Sequence, residues 1–206
     1  MNIRVNPTRM ELLRLKKRVR VAKRGHKLLK DKRDELMKSF MSLLRDVKRL
    51  RLTVEQKLRL GYRSFLVARA VMTPEILDEA IMFPKQRVEL EVKEKRMMSV
   101  TAPVFALRQT GDVYAYGMAA TSGELDMALG VFAELLPALI ELAGIEKALE
   151  LLAEEIERTR RRVNALEYVL IPTLETAVKS ISMKLSEQER GAISRLMKIK
   201  DVVRAK

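Results

Sequence analysis

The sequence predicts a mainly α fold: a long antiparallel two-helix coiled coil formed by the N- and C-terminal helices, with a short helix and a β-hairpin inserted in the middle. Three observations predict it. Thirteen nearly all apolar positions advance by alternating steps of three and four: Leu12, Leu15, Val19, Ala22, His26, Leu29, Arg33, Leu36, Phe40, Leu43, Val47, Leu50 and Val54. That spacing keeps one stripe against a partner helix, the seam of a left-handed coiled coil. Six heptads at about 1.5 Å per residue give a rod of roughly 60 Å. A second stripe follows near the C-terminus, through Ile145, Leu149, Leu152, Ile156, Thr159, Val163, Leu166 and Leu170. Finally, the chain is 48% hydrophobic and 33% charged but only 4% aromatic, with 8 Gly and 6 Pro, which favours helix over strand and turn.

The N-terminal helix is expected over residues 6–60, opened by the capping box of Thr8 and Glu11 and ending near Gly61. Thr53 and Gln56 repeat the box pattern and mark a place where it can break. Residues 61–121 read as a compact insertion. Thr73-Pro74-Glu75 starts a short helix that Pro84 stops. Val88, Leu90 and Val92 alternate with charged residues, the period of a half-buried strand. A second strand is expected from Met98 to Leu107, with Pro103 making it an edge or bulged strand. Gly111-Asp112 and Gly117 mark a loop, and Thr121 to Glu124 form the box that opens the last helix, expected over residues 122–204. After Leu170 the stripe loosens to Leu174, Val178, Ile181 and Leu185, a stutter that locally unwinds a supercoil. Pro172 lies inside that change and should kink the helix, while Ser186 and Glu189 mark a further bend. The whole is expected to be one elongated domain.

Charge is distributed unevenly along the 206 residues. Residues 1–60 hold 20 Lys/Arg against 6 Asp/Glu, which equals the net +14 of the entire chain. Pairing the two helices antiparallel with level ends sets residue numbers adding to about 205 opposite each other. Arg49 and Glu154 then flank the seam at one end, while the end carrying both termini concentrates positive charge. Such a field attracts anionic partners.

Catalytic chemistry is not written into the chain. With no cysteine, disulfides, thiolate catalysis and Cys-based zinc sites are excluded, which fits a reducing compartment. His26 is the single histidine, so clustered-His metal sites are excluded, and a Ser-His-Asp triad would have to be built on that one seam residue. It sits on the seam and reads as a packed, register-fixing polar residue. Neither Gly111-Asp112 nor Thr121-Ser122-Gly123 has the lysine and spacing of a phosphate loop. No cofactor is expected. No signal peptide is recognisable, and Leu125 to Leu142, the most apolar region, is interrupted by Asp126, Glu134, Pro137 and Glu141, so a soluble intracellular protein is expected. A basic coiled coil can also bind nucleic acid or act as a scaffold. Against the first, the first sixty residues interleave only Phe40 among their cations.

Both ends of the chain resemble one family. The stretch Pro7-Thr8-Arg9-Met10-Glu11-Leu12, followed by the run from Ala22-Lys23-Arg24-Gly25-His26 to Asp34, is similar to the start of the D subunit of V-type and archaeal-type ATPases. So are Arg160 to Glu167, Ile171-Pro172-Thr173-Leu174, Glu187-Gln188-Glu189-Arg190 and Leu196-Met197-Lys198-Ile199-Lys200. Residues 88–120 match only in character. The short length resembles prokaryotic members, and the middle is too small for the larger domain of the F-type gamma subunit.

The resemblance implies a non-catalytic central-stalk rotor subunit. It implies as partners the catalytic and non-catalytic head subunits, the small F subunit of the central stalk, and a funnel subunit on the membrane ring. It further implies a place in the cytoplasm peripheral to the membrane, coupling ATP hydrolysis or synthesis to movement of H⁺ or Na⁺. Specific nucleic-acid binding and direct membrane insertion are not expected. Combined with the charge map, it makes Arg14, Lys17, Arg18, Lys23, Lys27, Arg190, Arg195 and Lys198 the candidate contacts to the head. The seam itself is expected to run through Leu12, Leu15, Val19, His26, Leu29, Leu36, Phe40, Leu43, Val163, Leu166, Leu170 and Ile181.

Overall fold

Helix α1 runs unbroken from Arg9 to Val71, past both places where the sequence suggested an end. The computed structural model describes residues 6–204, the side chain of Val202 excepted. Thr8 Oγ1 accepts the backbone N–H of Glu11 at 3.2 Å, which satisfies one of the donors left free in the helix's first turn. At Thr53 the helix continues because the hydroxyl turns back onto the Arg49 carbonyl at 3.2 Å instead of capping a new start. Gly61 does not end it either. The residue is buried under the ring of Phe132, so its missing side chain serves close packing rather than termination.

Helix α2 covers Pro74–Met82, with Pro74 in its first turn where the absent N–H costs nothing. Strands β1 (Arg87–Met97) and β2 (Val100–Thr110) form one antiparallel hairpin, longer than either expected strand. Met98, expected in the second strand, is instead in the turn, at φ 55°. Pro103 pairs with Glu94; a two-stranded sheet has only edges, so a missing donor is tolerated. Gly111 follows at φ +95°, where a Cβ would meet the Lys85 carbonyl oxygen at 2.4 Å, so only glycine fits.

Helix α3 spans Gly123–Asn164, a π-helical turn occupies Ala165–Leu170, and helix α4 continues over Ile171–Arg204. The π-turn lies just before Pro172, which has no N–H and crowds the turn ahead of it. Ile171 N–H closes the widened turn on the Leu166 carbonyl, and the Thr173 hydroxyl donates to the Val169 carbonyl. At Ser186 no new start occurs: its hydroxyl donates to the Met183 carbonyl at 2.8 Å within a continuous helix.

By packing, the chain forms two compact units: residues up to Glu35 with those from Ile156 onward, and Leu36–Glu155. In the first unit, Leu15 and Ala22 of α1 pack against Leu174 and Ile181 of α4, flanked by Leu12, Val19, Ile171, Val178 and Leu185. The second unit has two clusters. Val47 and Val54 meet Leu135 and Leu142 of α3, and Ala68 and Met72 meet Leu77 of α2 and Leu125 of α3. By length and composition the helical stretch that starts at Gly123 is long and apolar enough to cross a membrane, contrary to the reading of its charges. In this fold its Leu125, Leu135 and Leu142 face the α1 seam.

Candidate functional site: the basic helix pair

The first unit assembles its seam from the predicted stripe. Leu15, Val163 and Ile181 are buried, and Leu12, Val19, His26, Leu29 and Leu166 are half-buried. In the second unit Leu36 is fully buried, with Phe40 and Leu43 half-buried. Leu170 departs from the prediction. It is 43% exposed, and Ile171 packs on the seam cluster instead. The π-turn inserts one residue into that turn, which advances the inward-facing position by one.

The register departs as well. Arg9 pairs with Glu189 and Lys23 with Glu175, both at 2.6 Å, and the residue numbers in each pair add to 198 rather than 205. The displacement is one heptad. A slip of seven residues leaves every seam position facing inward, so periodicity alone cannot detect it. In the second unit Arg49 binds Asp46 on its own helix, while Arg51 reaches Glu146 at 3.6 Å. Of the two acids that anchor the pairing in the first unit, Glu175 was not singled out by sequence and Glu189 was read as marking a bend rather than as a partner of Arg9; the signal that could have found both pairs was their one-heptad offset from Lys23 and Arg9.

All eight candidate cations are exposed. Arg14 binds Glu11, Lys23 binds Glu175, and Arg190 stands 4.0 Å from Glu187. Arg195 donates to the Gly191 carbonyl at 3.1 Å. Exposed pairs of this kind contribute about 0–1 kcal/mol each, so they neutralise charge without fixing the fold. Past Glu189, the partner of the first residue of α1, helix α4 runs on to Arg204, and its described side chains from Ala192 onward are all exposed. This segment carries Arg195, Lys198, Lys200 and Arg204 beside the exposed Ile193, Leu196, Met197, Ile199 and Val203.

No reactive constellation forms around these residues. His26 Nε2 lies 3.3 Å from Glu167 Oε2, inside the π-turn, and reaches no nucleophile. Among the described residues no three His, Cys, Asp or Glu side chains come together to hold a metal ion. Two displaced acidities lie in the second unit. Burial, then the hydrogen bond to Asp126, pushes the Tyr116 phenol above its ordinary value, and the bond to Glu150 raises Lys147. What the pair presents is a charged and partly apolar surface suited to binding.

The family model for the D subunit of ATP synthase matches residues 11–201. The chain belongs to that family. It is 57% identical over 205 residues to the V-type ATP synthase D subunit of Acetivibrio thermocellus, covering 98% of this chain and 92% of that protein. The same-named proteins of Clostridium botulinum and Clostridium novyi are 51% and 52% identical, covering 98% and 95% of their own lengths. The matched region includes the seam of both units, the hairpin, the π-turn and all eight candidate cations. Family membership thus extends through the middle segment, where the sequence motifs had been weakest.

Proposed function

We propose that this chain is the central rotor shaft of a V/A-type rotary ATPase, a non-catalytic subunit coupling the catalytic head to a membrane ring that moves H⁺ or Na⁺. The observation that carries the reading is the match to the ATP synthase D subunit over residues 11–201, with relatives aligned nearly end to end. Its partners on this reading are the catalytic and non-catalytic head subunits, the small F subunit of the central stalk and a funnel subunit on the membrane ring. It works in the cytoplasm, peripheral to the membrane.

The geometry supports the role in physical terms. A shaft transmits torque only if it resists bending and twisting, and two helices interlocked by Leu15, Ala22, Leu174 and Ile181 are stiffer than one. It also has to present different faces to chemically identical sites, so that each rotor angle favours a different state of each site. The exposed cations of α1 and α4 supply such an unequal surface, and the basic helix pair is the part that enters the head.

Reconstitution tests this. The purified chain alone is expected to hydrolyse no ATP, and its addition to an isolated head of the same complex is expected to change the head's turnover. Turnover by the chain alone that follows its own point variants overturns the non-catalytic reading, and an indifferent head overturns the shaft. Submicromolar, sequence-selective RNA or DNA binding at about 150 mM salt, where unspecific polyanion binding fades, supports a nucleic-acid protein instead.

A further inference from the structure

The seam changes occupant within a single turn of helix. Upstream, Thr159, Val163 and Leu166 advance by four and three, and Leu170 is the next position of that stripe. Downstream, Ile181, Val178 and Leu174 count back by three and four to Ile171. Two adjacent apolar side chains therefore claim one hole opposite α1. From Leu166 to Leu174 the chain has eight residues where two ordinary seam steps take seven, so one residue is always surplus.

The surplus can be carried in two ways. Two steps of four seat Leu170 in a stutter, with the helix regular and the supercoil locally unwound. A step of five and one of three seat Ile171, which requires a π-turn between Leu166 and Ile171. The structure has the second arrangement: Ile171 packs on the seam cluster, Leu170 is 43% exposed, and Ile171 N–H bonds the Leu166 carbonyl. Two features favour it. Pro172 offers no N–H to the Tyr168 carbonyl of a regular α-turn. Glu167, in the middle of the π-turn, places Oε2 3.3 Å from His26 Nε2 on α1.

We propose that Ala165–Leu170 is a two-position register switch, in which Leu170 and Ile171 alternate in one seam hole and the His26–Glu167 contact holds the Ile171 position. The two positions bury side chains of equal composition, so the exchange leaves the apolar area of the seam nearly unchanged. It re-forms one turn of backbone hydrogen bonds and breaks no other element. Weak local contacts therefore decide the balance. The switch itself is a property of the isolated chain. If the chain is a rotor, it adds a point where α4 yields in twist while the seam on either side stays interlocked.

The chain has no cysteine, so single thiols at these positions report without background. Leu170→Cys and Ile171→Cys would each be labelled with a maleimide in the full chain, with Leu174→Cys as a buried control. The thiol at position 170 is expected to react at least about tenfold faster than the thiol at position 171, following their protection. Adding Glu167→Ala should slow labelling at position 170 and speed it at position 171 reciprocally. His26→Gln should do the same, while the control at position 174 keeps its rate. Unchanged rates at both sites in both backgrounds overturn the switch. A rise at both sites together, or at the control, means that the segment frays rather than exchanges, and overturns it equally. Amide exchange across residues 165–171 in the cysteine-free chain gives a second measurement. Faster exchange confined to that turn in His26→Gln supports the switch, and an unchanged pattern overturns it.

Discussion

The ring of Phe132 lies directly over Gly61, so close that a Cβ on the glycine would stand 3.0 Å from Phe132 Cε1. Tyr62, the next residue, meets the same ring edge-on, with centroids 5.6 Å apart at 78°. Glycine in mid-helix ordinarily costs about 1 kcal/mol relative to alanine, so here its use follows from packing. A large residue has to expel the ring. Gly61→Leu is expected to destabilise the second unit by about 1–3 kcal/mol, as overpacked sites do. Thermal unfolding followed by circular dichroism reads this, and a variant as stable as the parent would show that Phe132 yields freely.

The hairpin turn stores strain that can be removed. Met98 adopts φ 55°, a conformation costly for any residue with a Cβ, and the Ser39 hydroxyl lies only 3.9 Å from its sulfur. Met98→Gly relieves the backbone and gives up that weak contact. The expected net effect is a gain of about 0.5–1 kcal/mol, read as a higher denaturant midpoint with unchanged slope. Loss of stability would mean that the contact with Ser39 outweighs the strain.

Thr159 occupies a seam position with no exposure, and its Oγ1 finds no hydrogen-bond partner. A buried unsatisfied hydroxyl costs about 1–3 kcal/mol, whereas valine has nearly the same shape and no such penalty. Thr159→Val is therefore expected to stabilise the first unit by about 1 kcal/mol. Denaturant unfolding of the full chain checks it, and a destabilised variant would place a partner on that hydroxyl in solution.

How far the sequence carried depends on what each feature repeats. The seam stripe could be read because Leu15, Ala22, Leu174 and Ile181 follow a period that only a helix satisfies. The hairpin could be read because Val88, Leu90 and Val92 alternate, although the half-burial expected from that alternation is absent and all three are exposed. The pairing of Lys23 with Glu175 could not, because one heptad of slip conserves the stripe. Gly61 misled for a related reason: a glycine that ends a helix and a glycine that admits a ring look alike until Phe132 is brought from the other helix. At Leu170 the period itself was ambiguous, and the choice fell to Pro172 and the π-turn. Of the candidate site, exposure of the cations followed from their position outside the stripe, but their ion pairs with Glu11, Glu175 and Glu187 depended on register and rotamer.

The proposed charge-based contact with the head gives the last prediction. Among the described residues Lys17, Lys27 and Lys198 take part in no ion pair, and Arg195 bonds only the backbone of its own helix. Reversing these four to glutamate therefore breaks no pairing of α1 with α4, which rests on the buried seam and on Lys23–Glu175. Single reversals should be nearly silent, since an exposed pair contributes about 0–1 kcal/mol. Together the four should weaken assembly with the head by about 10- to 100-fold at low salt, and by less as the screening length falls below about 10 Å above 0.1 M. Helix content and melting should stay those of the parent. Cysteines placed at Arg14 or Lys198 should crosslink to head subunits, and one at Glu89 in β1 should not, if, as proposed, the basic pair of the first unit is what meets the head. If the fourfold variant assembles normally, charge does not make the contact. If Glu89 crosslinks to the head and Arg14 does not, the basic pair is not the end that enters it.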